Sequence, residues 1–423
     1  MAVAPAPGSA RRAVKPSSQG TPLRLLTAVP LCDGHDSAIT TINLELARQG
    51  VEVIYLGYHC AASAIARAAV QEDVHAIGLS SYNGGHLVFF REVLAQLHAR
   101  GGGDIRLFGG GGGTITPADE RVMKRAGVDR IFFAGTPLAT ITEAITRGYW
   151  RELPAKKSLA GDRALARAIT LLSAPQHSGN PGLRATKTSF VLGVAGPGGA
   201  GKSTLIDELT ARFLENNATG RIAILANDPS HPDTGGAILG DRVSMIYAQH
   251  DRVFFRSLAT RGSLTGLSAA APAAIDLLRA SGEFDLIIVE SVGVGQESDP
   301  FGVFGRGPRR VDAVLFVLTP HYGGRIQLQK IGLLNGADFV ALNKCDHPAA
   351  ATARLELADR LARNGRGQQL HATVAARHLD AGVDQLYAAI EQKAGPDLRA
   401  GRSGDRPPGG RAQPRPAKAQ APS

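Results

Sequence analysis

The chain has 423 residues, of which 51 are glycine, 43% are hydrophobic, 5% are aromatic and three are cysteine, with a formal charge of +10. That length exceeds one ordinary core and predicts two domains with connecting segments, while cysteines without a CxxC pair fit a reducing cytoplasm and the apolar runs stay too short for a membrane span. Residues 1–21 carry +3 and residues 395–423 carry +4 of the charge, so most of it sits in Pro-, Gly- and Arg-rich tails (1–21 and 394–423) predicted to be disordered, and neither nucleic acid nor membrane is a predicted partner.

In chain order, "LRLLTAV" reads as a buried first strand and "SAITTINLELARQG" as a helix ended by Gly50. Between them "LCDGHD" places Asp33, His35 and Asp36 on a strand-to-helix loop. That is the carboxyl edge of the sheet, where open α/β folds keep their ligands. Taken alone the cluster has two readings: a ligand site, or a helix cap in which Asp36 or Ser37 accepts from free amides. The runs "VEVIYLG", "AIGLSS", "IRLFGG" and "RIFFAG" then alternate with helix-like segments such as "HLVFFREVLAQLHARG". Five such repeats predict a parallel α/β sheet with right-handed crossovers over residues 22–147. A helical linker, with "DRALARAITLLS" as one helix, covers 148–187, and a second β-α series fills 188–393.

The second series opens with "GPGGAGKST", residues 196–204, a full GxxxxGK[ST] loop between a strand-like and a helix-like segment. Gly198, Gly199, Ala200 and Gly201 would present backbone amides to phosphate oxygens. Lys202 would reach the β- and γ-phosphates, Ser203 would ligate Mg²⁺, and Thr204 would follow at the helix start. Downstream, "DFVALNKCD" is a buried strand ending in an NKxD box. Asp346 can accept from N1–H and the N2 amino group of guanine, Asn343 would contact N7, and the stem of Lys344 would cover the ring. "ESVG", from Glu290 to Gly293, stands where GTPases have DxxG, with Glu290 towards Mg²⁺ and the Gly293 amide towards the γ-phosphate. Asp228 and Asp241 lie in loops of switch-like composition, for which solvated turn chemistry is the alternative.

These motifs, with "DPSHPDTGGAILGDR" and "ESVGVGQ", resemble the G-protein chaperones of methylmalonyl-CoA mutase. In that family the matches of Ser203, Asp228, Asp241 and Glu290 surround Mg²⁺, and the resemblance implies Lys202, Glu290 and Gln296 as catalytic residues. "TPHYGGRIQLQKI" and "VAARHLDAGVDQLY" extend the likeness to the G domain of the fused isobutyryl-CoA mutases, over residues 188–392. The stretch "DPFGVFGRGPRR", residues 299–310, departs from the family's switch region in length and composition.

The first half resembles cobalamin-binding domains through "CDGHDSAI", "GLSSYNGGH" and "FGGGGGTI", although Ala38 and Ser80-Ser81-Tyr82 depart from the usual Gly and SxL. The implied fold is a flavodoxin-like, Rossmann-type domain ahead of a P-loop GTPase. His35 would be the lower cobalt ligand in place of the cofactor's own base, with Asp33 accepting the other ring N–H. Ser80, Tyr82 and Gly109, Gly110, Gly111, Gly112 and Gly113 would receive the displaced nucleotide tail, the glycines by leaving room beside the backbone. The resemblance implies adenosylcobalamin and Mg²⁺ as cofactors and GTP as substrate. It implies a separate acyl-CoA mutase barrel subunit as partner, a cobalamin adenosyltransferase as a further one, and a homodimer. The linker around 150–187 is the expected relay between the halves. A corrinoid methyl carrier and a cobalamin-responsive regulatory module are the alternatives.

Overall fold

The computed structural model describes residues 21–30, 37–82, 84–152, 154, 159–174, 189–293, 299–303, 309–322, 332–395 and 398. Strand β1 (Arg24–Ala28) is buried along its length and pairs in parallel with β2 (Glu52–Tyr55) on one side and β3 (Ala76–Ser80) on the other. Beyond β3 lie β4 (Arg106–Gly110) and β5 (Arg130–Phe132), also parallel. Helices α1 (Ser37–Arg48), α2 (Ala62–Gln71), α3 (His86–Ala99), α4 (Pro117–Ala126) and α5 (Leu138–Gly148) complete the crossovers. Strands covered on both faces must be apolar throughout, which is why these runs stand out in the sequence. The strand order β5-β4-β3-β1-β2 reverses direction at β1, and that reversal opens a crevice at the carboxyl ends of β1 and β3.

After the linker helix α6 (Asp162–Leu172), a second parallel sheet is built from β6 (Phe190–Ala195), β7 (Ile222–Asp228), β9 (Val253–Ala259), β10 (Leu286–Glu290), β11 (Ala313–Leu318), β12 (Phe339–Leu342) and β13 (Gln369–Ala372). Its order is β13-β12-β11-β6-β10-β7-β9, so β6 is central and the loop after it emerges mid-sheet. Helices α7 (Lys202–Asn216), the short α8 (Asp241–Ser244), α9 (Ala271–Ser281), α10 (Gly332–Gly336), α11 (Ala350–Asn364) and α12 (Ala381–Ala394) belong to this half. Leu398, inside the segment read as tail, is buried in its core.

One strand crosses over. β8 (Ala237–Leu239) lies between β7 and β9 in sequence, yet it adds to the first sheet, parallel to β2 with Glu52 opposite Ala237 and Ile54 opposite Leu239. Ala237 and Leu239 are buried in the first domain's core beside Leu26, Ile54 and Ile65. The sequence reads this segment as loop, because three apolar residues between glycines show no period.

The junction also carries ion pairs, most of them buried. Arg24 pairs with Glu52 and places its Nη2 2.9 Å from Glu72 Oε2. Ser257, from β9, donates its backbone N–H to Glu72 at 3.0 Å, and Arg167 of α6 donates Nε to Asp73 at 2.8 Å. Arg261 Nε reaches Glu52 Oε1 at 3.0 Å. Burial alone would raise the Glu52 pKa, but Arg261 and Arg24 outweigh it and hold the carboxyl at about 2. A depressed carboxylate contributes stability that is complete above its unfolded pKa and is lost as pH falls through the folded one. Between pH 4.5 and 2 the wild-type chain should lose about 3 kcal/mol from this group alone. Glu52→Gln should lack that contribution already at pH 7 and show a flatter acid limb in urea melts, and parallel limbs would refute the assignment.

Candidate functional sites

The first site is a cavity of about 290 Å³ at the carboxyl ends of the first sheet. Thr27 and Ser80 supply polar groups, and Ile39, Ile42 and Leu46 of α1 with Phe108 of β4 supply apolar walls. Tyr82 and Gly109 to Gly112 border it, which brings together the sequence-predicted residues of the third and fourth strand ends. Two of the glycines have a packing reason of their own. A Cβ at Gly111 would overlap the Ser81 carbonyl oxygen, and one at Gly112 would overlap the Tyr82 ring. They are needed so that the β4 loop can lie flat on the β3 loop, and the cavity wall follows from that packing. Gly113 has open space beside it and a φ of +89°. Asp33 and His35 lie outside the described residues, although α1, whose Ala38 lines the cavity, starts two residues after His35.

The second site surrounds the loop after β6. Lys202, buried at the start of α7, donates Nζ to the carbonyls of Gly196 at 3.1 Å and Pro197 at 3.3 Å. Ser203 Oγ donates to Glu290 Oε1 at 2.8 Å, joining the loop to the end of β10. Asn227 braces the same strand end: its amide donates to the Glu290 carbonyl at 2.8 Å and its Oδ1 accepts from Ser268 N at 2.8 Å. Gly293 passes the phosphate loop so closely that a Cβ there would stand 2.7 Å from Gly198 N. Gln296 lies outside the described residues, as does 304–308 of the divergent stretch.

A pocket of about 420 Å³ adjoins this loop, lined by Gly201, Thr204, Asn343, Lys344, Asp346 and the backbone after β13. Asn343 Nδ2 donates to the Ala200 carbonyl at 2.9 Å, and Oδ1 accepts from Ala375 N at 3.0 Å. Its side chain thus ties the phosphate loop to the pocket's far wall, leaving one amide hydrogen for a base nitrogen. Lys344 takes a left-handed φ of 61°, turning the chain so that Asp346 faces the pocket. The sequence reading gives no site role to Val374, Ala375 and Ala376, which line that far wall, although "VAARHLDAGVDQLY" begins with them.

The charges beneath the loop are unbalanced. Burial, and then repulsion from Asp241 and Glu290, raise the Asp228 pKa well above the carboxylate range. Glu290 is raised by burial and Asp241, against the opposing pull of Lys202 and the Ser203 hydrogen bond. Burial raises Asp241 as well. Asp228 Oδ2 and Glu290 Oε2 are buried with no hydrogen-bond partner. Such orphaned carboxylate oxygens fit a cation. No three His, Cys, Asp or Glu side chains close into a metal cluster among the described residues. A small, strongly hydrated cation shared with phosphate oxygens and water suits that open donor set.

The profile described as methylmalonyl-CoA mutase-associated GTPase MeaB matches residues 165–408, more than half of the chain. The chain belongs to this family. A second profile, the B12-binding domain, matches residues 23–141. The fused isobutyryl-CoA mutase of Cupriavidus metallidurans is 38% identical over 393 residues, covering 87% of this chain and 35% of that protein. Those of Nocardia farcinica and Geobacillus kaustophilus are 38% and 35% identical, each across 88% of this chain and 36% and 37% of their own lengths. The chain therefore spans about a third of these relatives.

In this MeaB-family chain the second half is a GTPase and the first is a B12-binding domain, as the motifs imply. The expected α/β class and both domain types hold. No helix among the described residues is long and apolar enough to cross a membrane. Cys60 is a half-buried thiol whose pKa burial pushes up to about 12, which makes it inert, and Cys345 is likewise raised by burial.

Proposed function

We propose that the chain is the cobalamin-carrying component of an acyl-CoA mutase of the isobutyryl-CoA or methylmalonyl-CoA type, joined to a GTPase that gates loading of adenosylcobalamin into a separate barrel subunit. The observation that supports this most is the presence of both profiles on one chain whose GTPase segment completes the B12-binding sheet. A methyl carrier would have no use for an attached GTPase.

Adenosylcobalamin supplies a weak cobalt–carbon bond for radical rearrangement. His35 would hold the cobalt and Asp33 would fix the tautomer of its ring, while Thr27 and Ser80 would orient the nucleotide tail in the apolar slot. In the GTPase, Mg²⁺ would be held by Ser203, Asp228, Asp241 and Glu290. Lys202 neutralises the charge that develops on the γ-phosphate, the Gly293 amide meets its oxygens, and Gln296 orients the attacking water. We place the protein in a reducing cytoplasm, as a homodimer, with a cobalamin adenosyltransferase as the supplier of its cargo.

The test combines the full chain, adenosylcobalamin and a purified barrel subunit. The chain alone should show no mutase activity and should gain it with the barrel. Cofactor transfer, followed by absorbance, should differ between GDP and a non-hydrolysable GTP analogue. The bound cofactor should show a base-off, His-on spectrum that His35→Ala lacks. An unchanged spectrum in that variant sinks the cobalt assignment, and equal transfer rates with both nucleotides sink the gating.

A further inference from the structure

Two adjacent residues face opposite sites. Gly240 gives Asp228 a backbone hydrogen bond, and Asp241, which follows it at the start of α8, lies close enough to interact with both Asp228 and Glu290, so its carboxylate belongs to the cation site. The next residue, Arg242, is buried and directed at the B12-binding domain. Its Nη2 donates to Gln71 Oε1 of α2 at 2.7 Å, and its guanidinium lies 3.7 Å from Glu72 Oε1. The ring of Phe255 packs under it at 5.2 Å.

The residues ahead of Asp241 are held by the same domain. β8 pairs with β2, and Ala237 N donates to the Val51 carbonyl at 3.1 Å. Thr234 Oγ1 donates to the Ala47 carbonyl at the end of α1 at 3.2 Å. Gly236 packs there so tightly that a Cβ would overlap the Ala47 carbonyl oxygen. Helix α1 in turn lends Ile39, Ile42 and Leu46 to the cobalamin slot. One continuous segment therefore runs from the cation site to the helix that walls the other ligand. Linker helix α6 also touches both halves, with Leu165, Ala166 and Ile169 in the core of the second and Arg167 bonded to Asp73 of the first, but none of its residues lines the cobalamin slot.

We propose that residues 234–242 are a positioning element shared by the two sites, in which Gln71 and the β2 edge hold Asp241 in place for Mg²⁺, and nucleotide state in turn sets the packing of α1 on the cobalamin slot. The inference rests on the functional reading above. A one-residue slip of an edge strand turns its buried side chains outward, so in register and displaced are the two discrete arrangements the proposal requires of this element. Each ligand biases them only through unequal affinity, and the coupling must be reciprocal.

The test uses the full chain with hydroxocobalamin, GDP and a non-hydrolysable GTP analogue. In the wild type, exchanging GDP for the analogue should change the cobalamin Kd by roughly 5- to 150-fold. Cobalamin should change the ratio of the two nucleotide Kd values by the same factor, and hydrogen exchange over 234–242 should differ between nucleotides. Gly236→Ala and Gln71→Leu should still bind both ligands with the coupling reduced to less than about twofold. Should Gly236→Ala fail to fold, Thr234→Val removes a single hydroxyl and carries the same expectation. Full coupling in these variants, or wild-type chain that binds both ligands without coupling, overturns the inference alone. Failure of the wild type to bind cobalamin or GTP overturns the functional reading, and the inference with it.

Discussion

Lys202→Ala should lower the GTP turnover of this chain by at least about 10²–10³-fold, the cost of removing one preorganised electrostatic contact to a transition state. Lys202 is buried, and burial lowers its pKa against the pull of Glu290 and Asp241. Its desolvation is therefore already met before nucleotide arrives, and its Nζ is parked on the Gly196 and Pro197 carbonyls at the mouth of the loop. Transfer of that cation to phosphate oxygens needs little movement. Alanine leaves Glu290, Asp228 and Asp241 with no nearby lysine, so the apparent affinity for Mg²⁺ should change along with turnover. Phosphate release at saturating GTP and varied Mg²⁺ is the measurement. A variant that hydrolyses GTP within tenfold of the wild type would remove Lys202 from the reaction.

Asp346→Asn should reverse the base preference of the site. Asp346 is the one acidic residue among those that line the pocket, so it is the anionic acceptor available to a base there. Guanine presents two donors to it, and an amide cannot accept both. A site built on hydrogen bonds rejects a mismatched partner by up to roughly 10⁴–10⁵-fold. Xanthine, with a carbonyl where guanine has the amino group, suits the amide. Competition titrations with GTP, ATP and XTP should show GTP strongly preferred by the wild type and XTP preferred by the variant. Unchanged selectivity would place guanine recognition elsewhere.

What the sequence shows of this molecule follows from where each constraint lies. The strands of the first sheet are legible because a parallel strand covered on both faces must be apolar throughout, as "LRLLTAV" and "AIGLSS" are. The phosphate loop and NKxD box are legible because phosphate and guanine each dictate residue types at fixed spacing. β8 is not, because "AIL" gains its strand character from β2, a partner in the other domain. The glycines after β4 are visible as a run, but the reason for Gly111 and Gly112 is the Ser81 carbonyl and the Tyr82 ring, which only the fold brings near. Asn343 reads as a base contact, whereas most of its hydrogen-bonding capacity binds the phosphate loop to Thr373 and Ala375. Arg242 closes the stretch "DPSHPDTGGAILGDR", but nothing in that motif shows its partners, which come from α2 and β9.

The crossover strand also bears on solubility. With β8 in place, the β2 side of the first sheet ends in a three-residue strand bounded by glycines rather than in β2 itself. Were residues 22–147 separated from the rest, the N–H and C=O groups along Glu52–Tyr55 would lie open next to apolar Val53 and Ile54, a template for pairing with another copy. Glu52 would lose Arg261 at the same moment, leaving Arg24 as its neighbouring cation within its own domain. The GTPase thus shields the B12-binding domain from self-association, which gives the two halves a reason to stay on one polypeptide that is independent of catalysis.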